Sequence, residues 1–345
     1  MTKALAKTLL KYTIGLGLLA WVIANNWQSS DAGPGLREAL ARPIRLLPFA
    51  LAGLFIGLSA LVTFVRWYLL VRAQELPFTL VGALRLGAVG YFFNTFLPGS
   101  VGGDLVKALA LARAQSRRTV AVATVLIDRA IGLWGLIWLV ALLGGWFWLT
   151  DAPILRDNAG LRAVVRSAWG VVAATVVTWA LLGFLPEWRA QRFARRLTRL
   201  PKIGHSLAEF WRAIWLYRTR PRAVALALLM SLISQSGNVV AFHFAAQTFA
   251  IAADTDLLPS LSEHALIVPP GMAIEALFPA PGGVGGGEFG YGKLYQLIGR
   301  PEALGVLASL SRRMLQWIVG LIGYVVYLRL KPSLGRRPEA APSVS

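Results

Sequence analysis

Two short stretches hold the residues whose types and spacing could do chemistry. The first is Asn94-Thr95-Phe96-Leu97-Pro98-Gly99-Ser100-Val101-Gly102-Gly103-Asp104, where an apolar run stops at a proline, three glycines and an acid. The second, Pro281-Gly282-Gly283-Val284-Gly285-Gly286-Gly287-Glu288, repeats the pattern in the other half of the chain. Glycine lets backbone approach a ligand with no Cβ in the way. A glycine-rich turn feeding a helix also aims N–H groups and the positive end of the helix dipole at one place. That is anion recognition, most naturally of phosphate. Each acid is followed 25 residues later by an arginine (104 to 129, 288 to 313). Arg129, Arg312 and Arg313 can add charge-assisted contacts to a phosphate. Asp104 and Glu288 can balance those arginines, hold a coupling cation or meet a headgroup amine.

Asp128, beside Arg129 in an apolar span, belongs with them because charge inside a span usually faces a polar interior. Asn94 and Glu275 flank the breaks. The candidate binding set is therefore Asn94, Pro98, Gly99, Gly102, Gly103, Asp104, Asp128, Arg129, Glu275, Pro281, Gly282, Gly283, Gly285, Glu288, Arg312 and Arg313. Structural roles compete with these. Asp104 suits a helix N-cap, and the arginines suit pairs with the acids that hold the halves together. Ser59, Thr63, Ser231, Gln235 and Asn238 read as hydrogen-bond partners between helices, and His243 as a satisfied structural residue.

The elements that must position these groups are membrane helices. Of 345 residues 56% are apolar and 13 are Trp, more than a soluble core of this size needs. The absence of cysteine excludes disulfides, a thiol nucleophile and thiolate metal sites. His205, His243 and His264 lack metal-ligand spacing, and no metal or cofactor is expected. The net charge of +19 lies between apolar spans, which points to membrane topology and anionic lipid rather than nucleic acid.

In chain order the spans expected are Tyr12–Trp27, Leu46–Val71, Thr119–Leu149, Val164–Leu185, Ala223–Ile251 and Leu304–Leu330. Two shorter pairs, Leu80–Leu97 with Asp104–Arg113 and Ala265–Phe278 with Phe289–Ile298, read as re-entrant hairpins, the second kinked at Pro269-Pro270. Arg66 and Arg72 mark the cytoplasmic end of the second span, and Lys107, Arg113, Arg117 and Arg118 the same side. The arginine-rich stretch 187–222 reads as an amphipathic helix on the membrane surface. The chain thus divides into an N-terminal span and loop (1–45), a first half (46–186), a basic cytoplasmic linker (187–222), a second half (223–331) and a disordered tail (332–345). The fold expected is all-α and polytopic, with six full spans and two broken hairpins in inverted-topology repeats. That arrangement serves alternating access about a central site. Arg42 and Arg45, in a loop placed outside, weigh against this orientation.

Taken in order, the Asn94–Asp104 block with Lys107, then Asp128-Arg129, then Pro281–Gly285 with Glu288 and Arg312-Arg313, resembles the flippase-like transmembrane domain of lysylphosphatidylglycerol synthases. The resemblance runs from about Leu46 to Leu330. It carries the family's binding block onto Asn94, Pro98, Gly99, Gly102 or Gly103, and Asp104, and its second block onto Pro281, Gly282, Gly283, Gly285 and Glu288. Ser100 and Asp104 depart from the basic residue and the Glu more usual there. The resemblance implies a stand-alone member in a bacterial inner membrane, both termini cytoplasmic, that moves an anionic phospholipid or a polyprenyl- or hopanoid-type lipid between leaflets. Synthase activity is not expected of a chain that stops at Ser345. An ion-coupled small-solute transporter and an integral-membrane lipid transferase are the alternatives. Expected partners are membrane lipids with anionic headgroups, with a second copy of the chain or lipid-biosynthesis enzymes left open.

Overall fold

Apolar chain entering a bilayer must satisfy every backbone N–H and C=O within its own segment. The computed structural model describes residues 3–29, 33–97, 102–184, 186–198, 204–251 and 256–334. Among them the chain forms fourteen α-helices and no β-strand. Pro98 and Gly99, and most of the tail expected to be disordered, lie outside the described residues.

The chain opens with α1 (Lys3–Asn25) and a short α2 (Leu36–Leu40). A four-helix unit follows: α3 (Leu46–Ala73), α4 (Leu80–Phe96), α5 (Gly102–Arg113) and α6 (Arg118–Leu149). A turn of helix, α7 (Pro153–Arg156), leads to α8 (Ala159–Phe184). The basic stretch is two helices rather than one, α9 (Glu187–Leu197) and α10 (Gly204–Arg218), packed together through the Phe193 and Trp211 rings 4.8 Å apart. The second unit is α11 (Pro221–Ala246), α12 (Leu261–Leu277), a 3-10 turn at Pro281–Gly283, α13 (Gly286–Leu297) and α14 (Glu302–Leu334). The tail therefore begins inside a helix, at least as far as Leu334.

Length separates spans from hairpins. Five helices, α3, α6, α8, α11 and α14, are long and apolar enough to cross a membrane, while α1 and α4 have shorter apolar stretches, Leu9–Asn25 and Leu80–Phe96. The 12 residues of α5, like the 12 of α13, reach about 18 Å at roughly 1.5 Å per residue, against a hydrocarbon core of about 30 Å. Each can only return to the face it came from.

The two units pack as inverted copies. α3 and α11 lie antiparallel at the centre. The Phe55 ring stacks on Phe244, Thr63 Oγ1 meets Ser234 Oγ at 3.0 Å, and Arg66 Nη1 donates to Ser231 Oγ at 3.0 Å, so rising numbers on one helix meet falling numbers on the other. Around this pair α4 packs on α14 as α12 packs on α6, and α6 packs on α11 as α14 packs on α3. The polar residues read as partners between helices do join the halves at this seam.

Within each hairpin the helices approach to backbone contact. A Cβ on Gly103 would stand 1.8 Å from the carbonyl oxygen of Gly90, so α5 reaches α4 only because this residue has no side chain. Gly57 in α3 has nothing within 4 Å of such a Cβ. Gly103→Ala is expected to cost on the order of 3 kcal/mol or more through overpacking. The midpoint of thermal unfolding in detergent should fall accordingly, while Gly57→Ala leaves it unchanged or slightly raised.

Candidate functional site

The site grows from the two helix breaks. At the first, Asn94 Oδ1 accepts the N–H of Gly103 at 2.8 Å, so the last turn of α4 caps the start of α5 across the break. Asp104 is the third residue of α5, not its cap, and its Oδ2 receives Arg129 Nη1 at 2.5 Å. At the second break Gly282, Gly283 and Gly285 have φ of 54°, 66° and 82°, a region that L side chains rarely adopt. Glu288, fully buried as the third residue of α13, accepts the Gly285 N–H at 2.7 Å. Its Oε1 receives Arg313 Nε at 2.5 Å. The same guanidinium donates to the Gly282 carbonyl at 2.7 Å, pinning the glycine turn to α14.

The 25-residue spacing therefore has one meaning in both halves: an acid in the first turn of the returning helix is clamped by an arginine on the next span. This corrects one expectation. The Gly103 and Gly285 amides are not bare donors, because the chain's own side chains satisfy them.

Two further pairs lie beside these clamps. Arg312 pairs with Glu275 and lies over the Phe242 and Tyr291 rings, 5.7 and 5.4 Å from their centroids. Arg66 Nε meets Asp128 Oδ1 at 2.8 Å, and its Nη2 reaches the Asp128 carbonyl at 3.1 Å. Arg66 does not mark the end of a span, as its place near Arg72 suggested. It is 4% exposed and joins α3, α6 and α11 through Asp128 and Ser231. Lys107 also turns inward, its Nζ 3.8 Å from both Asp104 and Asp128.

The hairpins meet at the centre: the turn at Gly282 lies against the carbonyl of Thr95. Beside that contact is a cavity of about 310 Å³. Ser59 and Thr63 of α3, Ser234 and Asn238 of α11 and Gln316 of α14 supply hydroxyls and amides to its wall. Tyr91, Asn94 and Thr95 come from α4, and Glu275, Gly282, Arg312 and Arg313 from the second half. Arg312 keeps its buried Nε–H without an acceptor, leaving a donor on a side chain of the wall.

Of the sequence candidates, Asn94, Glu275, Gly282, Arg312 and Arg313 line this cavity. Pro281, Gly283, Gly285 and Glu288 build the turn behind it, and Gly102, Gly103, Asp104, Asp128 and Arg129 build the first break and its ion pairs. Tyr91, Thr95 and Gln316 were not foreseen. Tyr91 had a signal, since it stands as far before Asp104 as Glu275 stands before Glu288. His243 is satisfied as expected, by His264 at 3.1 Å and Gln247 at 2.9 Å.

Fold and site define a polytopic helical membrane protein with two broken hairpins facing a central polar cavity. The chain belongs to the lysylphosphatidylglycerol synthase transmembrane-region family, whose model it matches over residues 8–323. It is 23% identical over 295 residues to a UPF0104 membrane protein of Pyrococcus horikoshii, covering 81% of this chain and 86% of that protein. No solved structure matches it.

Removing one partner of a buried ion pair leaves an uncompensated charge, at a cost of about 3–5 kcal/mol. Arg313→Gln and Glu288→Gln should each lose about that much stability in detergent. The double variant should lose clearly less than their sum, because it strands no charge. A thermal-unfolding double-mutant cycle measures the difference.

Proposed function

We propose that this protein is a lipid translocase, in which a polar headgroup passes through the central cavity while the acyl or prenyl tails remain in the bilayer. The observation that carries the reading is the cavity where two half-membrane hairpins meet. Hydroxyls, amides and a guanidinium at that depth serve no packing purpose that apolar side chains would not serve better. They lower the barrier to a headgroup that would otherwise cross hydrocarbon. The antiparallel pairing of α3 and α11 supports it too, since inverted units can rock about a fixed central site.

Membership of a family named for the membrane part of a lipid-modifying synthase agrees with a lipid substrate. The arrangement offers recognition rather than bond breaking. Among the described residues no cluster of three or more His, Asp or Glu could hold a metal ion, and the buried acids are engaged with arginines. We assign the protein to a bacterial inner membrane with both termini cytoplasmic. The arginine-rich α9 and α10 dock where α3 ends and α6 begins, through Gln74 Nε2 to the Ala213 carbonyl and Arg117 Nη1 to the Gln74 carbonyl, which gathers positive charge at one face.

Leaflet exchange of a headgroup-labelled phospholipid in proteoliposomes, read by quenching from outside, tests the proposal. Wild-type protein should exchange lipid well above empty vesicles. Loss of a charged hydrogen-bond donor is worth about tenfold or more, so Arg312→Ala should slow exchange by that factor, and Asn238→Leu should slow it as well. Exchange no faster than in empty vesicles, together with uptake of a soluble polar solute, would move the cavity to solute transport.

A further inference from the structure

Inside the bundle each acid has an arginine of its own. Asp128 pairs with Arg66, Asp104 with Arg129, Glu275 with Arg312 and Glu288 with Arg313. These four pairs balance without Lys107, which is nevertheless only 6% exposed. Its Nζ stands 3.8 Å from Asp104 Oδ1 and 3.8 Å from Asp128 Oδ2, beyond hydrogen-bonding distance of either. Its other neighbour is the Trp67 ring, 4.4 Å away. Three elements pack around it: α3 presents Arg66 and Trp67, α6 presents Asp128 and Arg129, and α4 presents only the backbone of Gly90 to its stem. The break itself, Pro98-Gly99-Ser100-Val101, carries no charged residue that could offset it. In the second half the corresponding residue, three beyond the acid, is the neutral Tyr291. Lys107 is thus a fifth cation among four carboxylates, and the excess belongs to the first half alone.

An uncompensated positive charge in a low-dielectric interior is costly, and its field is little screened. It favours any state in which one negative charge enters the bundle. The central cavity adjoins it: Asn94 of the wall bonds Gly103, next to Asp104, and Thr63 of the wall is one turn from Arg66. The other sources of selectivity cancel, because the glycine amides are capped and each arginine has its carboxylate. We infer that the cavity selects a lipid headgroup of single net negative charge, a phosphodiester with no compensating amine, and that Lys107 sets this selection through its field rather than by contact. The inference rests on the translocase reading. A zwitterionic headgroup gains nothing from the excess charge, and the cationic headgroup of lysylphosphatidylglycerol is opposed by it.

The test is equilibrium binding of fluorescent phosphatidylglycerol, phosphatidylcholine and lysylphosphatidylglycerol to the full chain in neutral detergent. Inorganic phosphate serves as competitor, and leaflet exchange is measured in parallel. Wild type should prefer phosphatidylglycerol over phosphatidylcholine by about tenfold, the size expected of one poorly screened charge, and bind lysylphosphatidylglycerol least. In Lys107→Met that preference should fall to about one with phosphatidylcholine binding retained, and Lys107→Arg should restore it. Asp128→Asn adds a second uncompensated charge, so it should raise the preference. It decides the matter where Lys107→Met does not fold. No preference in wild type, an unchanged preference in Lys107→Met, or an unchanged one in Asp128→Asn overturns the inference. Displacement by inorganic phosphate as effective as by lipid also overturns it, by assigning the charge to a soluble anion. A Lys107-dependent preference without leaflet exchange upholds the charge selection and removes the translocase reading, so the two failures are distinguishable.

Discussion

Charge cannot stand alone in hydrocarbon, and that constraint organises this protein. A helix that breaks in mid-membrane exposes backbone groups and a helix dipole where no water can meet them. Here each break restarts with a carboxylate in its first turn and an arginine on the following span to hold it. Asp104 with Arg129, and Glu288 with Arg313, make a half-length helix tolerable at a depth where it would otherwise be expelled. Other features follow from those clamps. The returning helices press backbone to backbone at Gly90 and Gly103, the breaks meet near Thr95 and Gly282, and a polar cavity remains beside the crossing of α3 and α11.

Much of this was legible in the chain because it is repeated. Two glycine-rich breaks, each 25 residues ahead of an arginine, cannot be accidents of composition, and the shared spacing became the same ion pair in each half. Segment length separated spans from hairpins. What linear order hides is rotation. Arg66 looked like a marker of the membrane face because Arg72 follows, yet the turn of α3 aims it at Asp128. Lys107 looked like one more topology-setting cation, although its place three residues after Asp104 put both on one face of α5. Asn94 caps Gly103 across a break, so no local capping pattern announced it. Tyr91 and Gln316 are ordinary residues of their own helices and become part of a site only through what faces them.

The two halves share an architecture but not a charge pattern. Where the first has Asp128 before its clamping arginine, the second has Arg312, and where the second has Glu275, the first has Tyr91. Packing depends on the shared elements, and recognition of the transported group depends on the unshared ones. This division explains how a duplicated scaffold can hold a single asymmetric headgroup at its centre while keeping the symmetry that rocking between two faces requires.

The central claim is that the crossing of the two units encloses a polar space within the membrane, and the absence of cysteine makes it directly measurable. Single cysteines at Thr63 and Gln316, which line the cavity, and at Leu61, which is 48% exposed on the outer face of α3, can be challenged in proteoliposomes with a small charged thiol reagent. The account predicts that Thr63→Cys and Gln316→Cys react while Leu61→Cys, facing lipid, does not. If all three resist the reagent, or Leu61→Cys reacts as readily as the others, the polar cavity between the hairpins does not exist.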